Sequence, residues 1–101
     1  QAVLMSKTII GLCELELYIS HAISLKDKRM VVKSLLKRLH NQFNVGASEI
    51  DLLDSPQSSL IAIVCVSNST RHAHSVLQKT IKWIESNYPE AMIANESIEM
   101  L

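Results

Sequence analysis

The chain has 101 residues, a formal net charge of zero at pH 7, and a hydrophobic content of 48% with only one Trp, one Phe and two Tyr. This length fits a single small domain with an aliphatic core, and the composition excludes a disordered chain. The longest uncharged apolar segment, Leu60 to Val66, is far too short to span a bilayer, which excludes membrane insertion through it.

The start of the chain and its cysteines predict the domain bounds and the compartment. A Met-Ser-Lys segment at residues 5–7 looks like a natural start, so residues 1–6 are expected to be a tail or cloning remnant and residues 7–101 one domain. Cys13 and Cys65 both lie inside apolar runs, which is typical of reduced, inert thiols in a cytoplasmic protein. We expect them on adjacent strands, where one register would place them opposite each other.

The first strand and the first helix follow from two different periodicities. Apolar residues alternate from Ile9 to Ile19, which predicts a half-buried strand. From Ser24 to Phe43 they recur at helical spacing, with Ser24 as the N-terminal cap and Asp27 against the positive end of the helix dipole. The segment Asn44 to Gly46 is expected to end this helix through a glycine in the left-handed conformation.

Two further strands, a second helix and a last strand complete the pattern. A weak strand from Ala47 to Leu53 and a strong one from Leu60 to Ser67 are separated by turn residues, as in a hairpin. Residues 68–70, which read Asn-Ser-Thr, are candidate caps for a second helix that Pro89 ends. The final strand, Ala91 to Leu101, has the mixed composition of a sheet edge.

The order strand, helix, strand, strand, helix, strand predicts the fold class. Short connections and right-handed crossovers favour one antiparallel sheet with strand order 4-1-3-2 and both helices on one face. The sequence therefore predicts a ferredoxin-like α+β sandwich.

Basic residues are concentrated in the first helix. The segment from Ser24 to Phe43 holds six of the ten Lys and Arg residues and only one acid, Asp27. Four of these cations, together with His40, form one stripe about 80° wide beside the apolar face. Such a stripe can neutralise phosphates and hold RNA by its backbone, and the alternative is a solvated face that serves only solubility. The residues expected to contact nucleic acid are Lys26, Arg29, Lys33, Lys37 and Arg38.

Other polar side chains do not form an enzymatic or metal signature. Lys28 falls among the apolar residues of the first helix, so we expect a structural role in which it reaches Asp27 or a strand carboxylate. His72 and His74 lie two residues apart on a helix and point in different directions, which argues against a shared metal ion. With Arg71 they could instead favour an anion at the helix start. No catalytic residue, metal or cofactor is predicted.

The third strand is apolar on both sides, so something is expected to cover its outer face. Exposed apolar surface costs roughly 25 cal/mol per Å², which favours a homodimer or another partner on this face. The alternative is partial shielding by neighbouring side chains. The candidate interface residues are Leu60, Ala62, Val64, Val66 and Tyr18.

Several ordered segments resemble a known family. The segment His21 to Arg29 is similar to the family's H-S-L-K-(D/E)-K-R with one or two residues inserted, and Asn41 to Val45 is similar to its R-F-N-V helix end. The segments Val64 to Asn68 and Ile98 to Leu101 resemble its V-S-N turn and E-I-L terminus. Together they resemble the small bacterial YlxP-like proteins, catalogued as a domain of unknown function.

This resemblance implies a ferredoxin-like fold and an association with the translation apparatus. The family is commonly encoded beside factors for ribosome maturation and initiation, its members are often named ribosome-binding-factor-like, and no catalytic residues are attached to it. The chain departs from the family between Asp51 and Ser59, where Leu52 and Pro56 stand near positions that carry His and Trp in the family.

The leading hypothesis is a non-enzymatic cytoplasmic binding module. It contacts ribosomal RNA or a ribosome-associated protein through its basic first helix during small-subunit maturation. The alternative is a structural or regulatory homodimer that binds a protein partner or a small ligand through the open sheet face.

Overall fold

The computed structural model describes residues 5–101, so residues 1–4 of the predicted tail lie outside the described residues. The strands and helices confirm the predicted α+β class and the element order. They are β1 (Ile9–Tyr18), α1 (Leu25–Gln42), β2 (Gly46–Asp51), β3 (Ser58–Ser67), α2 (Thr70–Asn87) and β4 (Met92–Met100). The four strands form one antiparallel sheet in the order β2-β3-β1-β4, which is β4-β1-β3-β2 when read from the other edge.

The two central strands place alternate residues on the core side of the sheet. Leu15 and Leu17 of β1 and Ile61 and Ile63 of β3 are fully buried. They pack in one hydrophobic cluster with the buried residues of α1 and α2, such as Leu35, so the helices cover this face. Side chains on the opposite face of β1 and β3 remain partly or largely exposed.

The register of β1 and β3 corrects the expected placement of the two thiols. Cys13 faces Ile63 and Cys65 faces Gly11, so the cysteines lie on the same sheet face but are two positions out of register. Both are free. Register depends on how the intervening elements fold, which the local sequence around each cysteine does not encode.

Helix α1 begins as predicted and ends differently. The Ser24 side chain accepts a hydrogen bond from the Asp27 backbone N–H at 3.1 Å, which confirms Ser24 as the N-terminal cap. At the other end, Phe43 is already extended, with φ −133°, while its N–H donates to the Leu39 carbonyl at 2.9 Å. The predicted left-handed glycine stop is wrong, because no described glycine has a positive φ and Gly46 instead begins β2.

The two ends of helix α2 and the edge position of strand β4 agree with the sequence predictions. The Ser69 side chain caps α2 by accepting from the His72 backbone N–H at 3.2 Å. Tyr88 closes the helix directly before Pro89. Strand β4 pairs with β1 alone, which confirms it as an edge strand, and a register shift between Glu16 and Leu17 interrupts that pairing.

Lys28 is a fully buried cation that joins the start of α1 to the turn of the β2–β3 hairpin. Its Nζ donates to Glu49 Oε2 at 2.9 Å and to the carbonyl oxygens of Leu52 at 2.9 Å, Leu53 at 3.3 Å and Ser58 at 3.1 Å. Burying an ammonium is unfavourable unless its charge and its donors are satisfied, and these four acceptors do both. The predicted contact with a strand carboxylate is therefore confirmed, with Glu49 as the partner.

The four hydrogen bonds of Lys28, which we call the Lys28 clamp, also hold a strained turn. Leu52 adopts a positive φ of 59°, a conformation that costs a branched, non-glycine residue of order 1–3 kcal/mol. Asp51 Oδ1 accepts from the Leu52 N–H at 2.7 Å, and the Leu52 carbonyl accepts from Lys28 Nζ and from the Ser55 N–H. The hydrogen bonds on both sides of Leu52 offset the strain.

Replacing Lys28 by Met keeps most of the side-chain volume and removes the charge. We expect the free energy of unfolding to fall by about 2–4 kcal/mol, because Glu49 and three carbonyls lose their common donor. Urea unfolding followed by circular dichroism measures it. The matched control is Lys26→Met, an exposed position on the same helix that should change stability by no more than about 0.5 kcal/mol. Equal stability of the two variants would contradict the clamp.

Candidate nucleic-acid interface

The predicted nucleic-acid contacts and His40 divide into three environments around α1. Lys26, Lys33 and Lys37 are exposed and lie on the side of the helix opposite the buried Leu35 and Leu39. We call these three lysines the crest. Since no acid within 4.0 Å pairs with them among the described residues, their charges are free to act on solvent and on a ligand.

Arg29 and His40 do not belong to the crest, because they lie on the flank of α1 that faces β2. The Arg29 guanidinium is 4.0 Å from Asp54 Oδ1, and both side chains are largely exposed, so this pair contributes little to stability. His40 Nε2 accepts the Ala47 backbone N–H at 3.2 Å and thereby ties the end of α1 to the start of β2. His40 is therefore a structural contact instead of a member of the cationic surface.

Arg38 lies on the other flank, beside α2. Its Cζ is 5.1 Å from the ring centroid of Trp83 and 5.1 Å from that of Tyr88, which is within cation–π range of both. Sequence reasoning proposed Arg38 as a contact but missed Trp83 and Tyr88. The available signal was that the single Trp of the chain lies on a helix whose other apolar residues are mostly aliphatic.

Charge is strongly separated between the helices and the rest of the protein. The two helices contain nine of the ten Lys and Arg residues and two of the ten acids, so they carry a formal charge of +7. The remaining charged residues, on strands and loops, carry −7. One of the nine cations, Lys28, is neutralised in the core, and the other eight are exposed. The helical layer is thus a positive surface on a molecule without net charge.

The start of α2 adds three basic side chains to this layer without forming a metal site. Arg71, His72 and His74 are all exposed, and the His72 backbone N–H is already used by the Ser69 cap. Within residues 5–101, no group of three or more His, Cys, Asp or Glu residues lies close enough to hold a metal ion.

Neither helix among the described residues has the length and apolar character needed to cross a membrane.

The five predicted interface residues all lie on the open sheet face but differ in exposure and position along it. Val64 and Val66 are exposed at one end of the open sheet face, with Val66 67% exposed, while Leu60 and Ala62 are half-buried. Tyr18 pairs with Ser58 at the far end of β1, eight residues from the partner of Val66 and therefore about 26 Å away.

Three residues that sequence reasoning missed extend the valine end of this face. Ile10 faces Val66 and Leu12 faces Val64 in the register of β1 and β3, and the Leu101 N–H donates to the Ile10 carbonyl at 2.8 Å. The even-numbered apolar positions of β1 were the signal that could have found Ile10 and Leu12. We call Ile10, Leu12, Val64, Val66 and Leu101 the apolar corner.

Acidic residues separate the apolar corner from Tyr18. Glu14 and Glu16 line a shallow depression of about 270 Å³ on the open face, together with Leu60, Asn95 and Glu96. Behind it, burial raises the pKa of the Cys13 thiol from 9.0 to about 11, and the carboxylates of Glu96 and Glu14 add to the increase. Burial also raises the pKa of Cys65. Neither thiol has the lowered pKa of a nucleophile.

Comparison with known proteins places the chain among its relatives. The profile of the family described as "Protein of unknown function (DUF503)" matches residues 10–98. The chain belongs to the DUF503 family. It is also 42% identical over 82 residues to the uncharacterized protein YlxP of Bacillus subtilis (strain 168), a match that covers 81% of this chain and 88% of that protein. The predicted family resemblance is confirmed, and the matched range includes α1, α2, β3 and all of β1 except its first residue.

The buried thiols should be chemically quiet in the folded protein. In a Cys65→Ala variant at pH 8, we expect Cys13 to react with Ellman's reagent at least about 100-fold more slowly in buffer than in urea. The reason is that a pKa raised from 9.0 to about 11 lowers the thiolate fraction by about that factor. The same comparison on Cys13→Ala reports Cys65. Reaction of the folded protein at the unfolded rate would show that the thiol is accessible and ionised.

Proposed function

We propose that this DUF503 protein is a non-enzymatic cytoplasmic module of ferredoxin-like fold that binds ribosomal RNA, or a ribosome-associated protein, during small-subunit maturation. The observation that carries the proposal is the +7 formal charge of the helical layer on a molecule of zero net charge. A surface of this kind neutralises phosphates, releases counterions and orients the protein on an anionic polymer.

The crest is the centre of the proposed RNA surface. Lys33 and Lys37 lie one turn apart on the exposed side of α1, with Lys26 two turns earlier along the same side. Exposed lysines without acidic partners are point charges on flexible stems, which suits contacts with backbone phosphates at varied positions. Binding through the crest is thus expected to depend on shape and charge more than on base sequence.

The distribution of aromatic residues also favours backbone contact. Modules that read single-stranded RNA on a sheet stack bases on aromatic side chains of the central strands. Here the central strands β1 and β3 contribute one aromatic residue, Tyr18, at the end of β1. The remaining three aromatic residues, Phe43, Trp83 and Tyr88, cluster at the α1–α2 corner.

The family resemblance adds the association with ribosome maturation.

The crest should determine both the affinity for RNA and its salt dependence. For a double variant, Lys33→Gln with Lys37→Gln, we expect affinity for a 16S ribosomal RNA transcript to fall about tenfold, since each exposed charge contact is worth up to about 1 kcal/mol. The slope of log affinity against log salt should fall in magnitude by about 1 to 2. Fluorescence anisotropy at several salt concentrations measures both quantities.

The matched control changes the charge by the same two units outside the helical layer. Lys7→Glu does this at an exposed position before β1, whereas all the other Lys and Arg residues lie on the two helices. Its affinity and slope should remain close to those of the unmodified protein. A wild-type protein that neither binds the transcript nor co-purifies with ribosomal subunits at low salt would refute the proposed function.

A second candidate function is a homodimer formed through the open sheet face, and the apolar corner favours it. Its five aliphatic residues come from β3, β1 and the residue after β4, and no described element covers them. Two copies related by a two-fold axis at this corner would bury it reciprocally. The acidic residues Glu14 and Glu16 lie farther along the face and need not oppose each other.

A charge placed in the apolar corner should separate the two copies. We expect Val66→Glu to convert a wild-type dimer to a monomer in sedimentation velocity, because a carboxylate would be buried opposite aliphatic side chains. Met92→Glu is the control, since Met92 is similarly exposed at the Tyr18 end of the same face. A monomeric wild type, or a dimer that survives Val66→Glu, would exclude this interface.

A further inference from the structure

The Arg38 side chain is held in place before any ligand binds. Its guanidinium lies over two rings whose centroids are 5.9 Å apart and whose planes are inclined by 51°. The guanidinium therefore occupies the corner that Trp83 and Tyr88 form between the two helices. We call these three side chains the arginine corner.

Both rings of the arginine corner are themselves fixed by other contacts. Tyr88 is only 4% exposed, and its hydroxyl is 2.8 Å from the Ser34 hydroxyl, one turn before Arg38 on α1. The Trp83 ring is half-buried and meets the Phe43 ring edge-to-face, with centroids 6.1 Å apart. Because α1 and α2 each supply part of this support, the position of Arg38 is set by the packing of the two helices.

The aromatic contacts give the guanidinium of Arg38 no oxygen acceptor, and no hydrogen bond among the described residues uses its N–H groups. The N–H donors of arginine lie in the guanidinium plane and match two oxygens of a phosphate or carboxylate. Among the described residues, the ion pairs within 4.0 Å are Lys28–Glu49 and Arg29–Asp54, so no acid occupies the edge of Arg38. The residue remains exposed despite its two aromatic contacts.

The surroundings of this edge are positive. Lys37 precedes Arg38 at the border of the crest, and Lys79 lies one turn before Trp83 on α2. An anion at the arginine corner would meet the Arg38 fork, with an exposed lysine on each helix within one turn of the corner. An arginine already confined by packing loses less conformational entropy on binding than a free surface side chain.

We infer that the arginine corner is a preorganised phosphate-binding site, in which the Arg38 edge holds two non-bridging oxygens of one RNA backbone phosphate. This inference rests on the proposed function and assigns a distinct role to one residue of it. The crest supplies charge that tolerates movement of the RNA, whereas Arg38 supplies a contact of fixed geometry. A purely structural Arg38, which only covers the two rings, is the competing account.

A pair of charge-conserving substitutions tests the site. Arg38→Lys keeps the charge but loses the planar fork, and we expect it to lower affinity for the 16S ribosomal RNA transcript about tenfold. Lys7→Arg, an exchange between the same two residue types outside both helices, should change affinity by less than about twofold. Both positions are exposed, so both variants are expected to fold, and urea unfolding verifies it.

A spectroscopic readout separates phosphate binding from ring covering. In the unmodified protein labelled with ¹⁵N, the Arg38 Nε–H resonance should shift on addition of the transcript, because the edge gains acceptors. If the transcript binds and Lys33→Gln with Lys37→Gln weakens it, but Arg38→Lys binds normally and the Nε–H resonance does not move, the inference fails and the proposed function stands. If the transcript does not bind at all, the proposed function fails first.

Discussion

The buried ammonium of Lys28 is the contact on which the placement of α1 depends. One side chain connects the first turn of the helix to Glu49 on β2, to the strained turn at Leu52 and to the first residue of β3, Ser58. Glu49 Oε2 also accepts from the Ser59 hydroxyl at 2.7 Å, so the carboxylate is shared between the helix and the sheet. A charge removed from water has one satisfactory arrangement, and this fixes the rotation of α1 about its axis. The same rotation directs the crest outward.

Charge separation explains why a neutral protein can present a strongly basic surface. Net charge and isoelectric point average over the whole chain and are both unremarkable here, with a pI of about 7.1. The helices and the rest of the molecule carry opposite charges of equal size, which is a large dipole on a small body. At physiological salt, electrostatic interactions are screened over about 8 Å. An approaching polymer therefore interacts more strongly with the charges of the nearer layer than with the net charge of the whole molecule. The separation therefore favours oriented binding without non-specific adhesion from net charge.

Local signals predicted most of the fold, and contacts between distant residues account for what they missed. The caps at Ser24 and Ser69 and the alternation along β1 depend on neighbours in sequence, so those elements were predicted to within a residue or two. The predicted left-handed glycine stop of α1 was wrong, because the helix ends when Phe43 becomes extended and packs on Trp83, forty residues later in the chain. The pairing of Cys13 with Ile63 depends on sheet register in the same way.

The candidate site was partly visible in the sequence for the same reason. The helical spacing of Lys26, Lys33 and Lys37 is local, and so is the position of Lys28 among apolar residues. The partners of Lys28 and Arg38 were not local. The acceptors of Lys28 follow it by 21 to 30 residues, and Trp83 belongs to the other helix. A charge pattern therefore indicated the candidate surface, and only the tertiary structure distinguished the environments of its residues.

The cations of α1 differ in how much freedom packing has already removed from them. Lys28 has none left and acts within the core, the crest lysines keep nearly all of theirs, and Arg38 lies between these limits. Mobile charges act at a distance and tolerate misalignment, but each loses entropy when it binds. A side chain confined before binding acts only at contact and sets a position. Placing both kinds one residue apart, at Lys37 and Arg38, allows attraction and alignment of an anionic chain on a single helix.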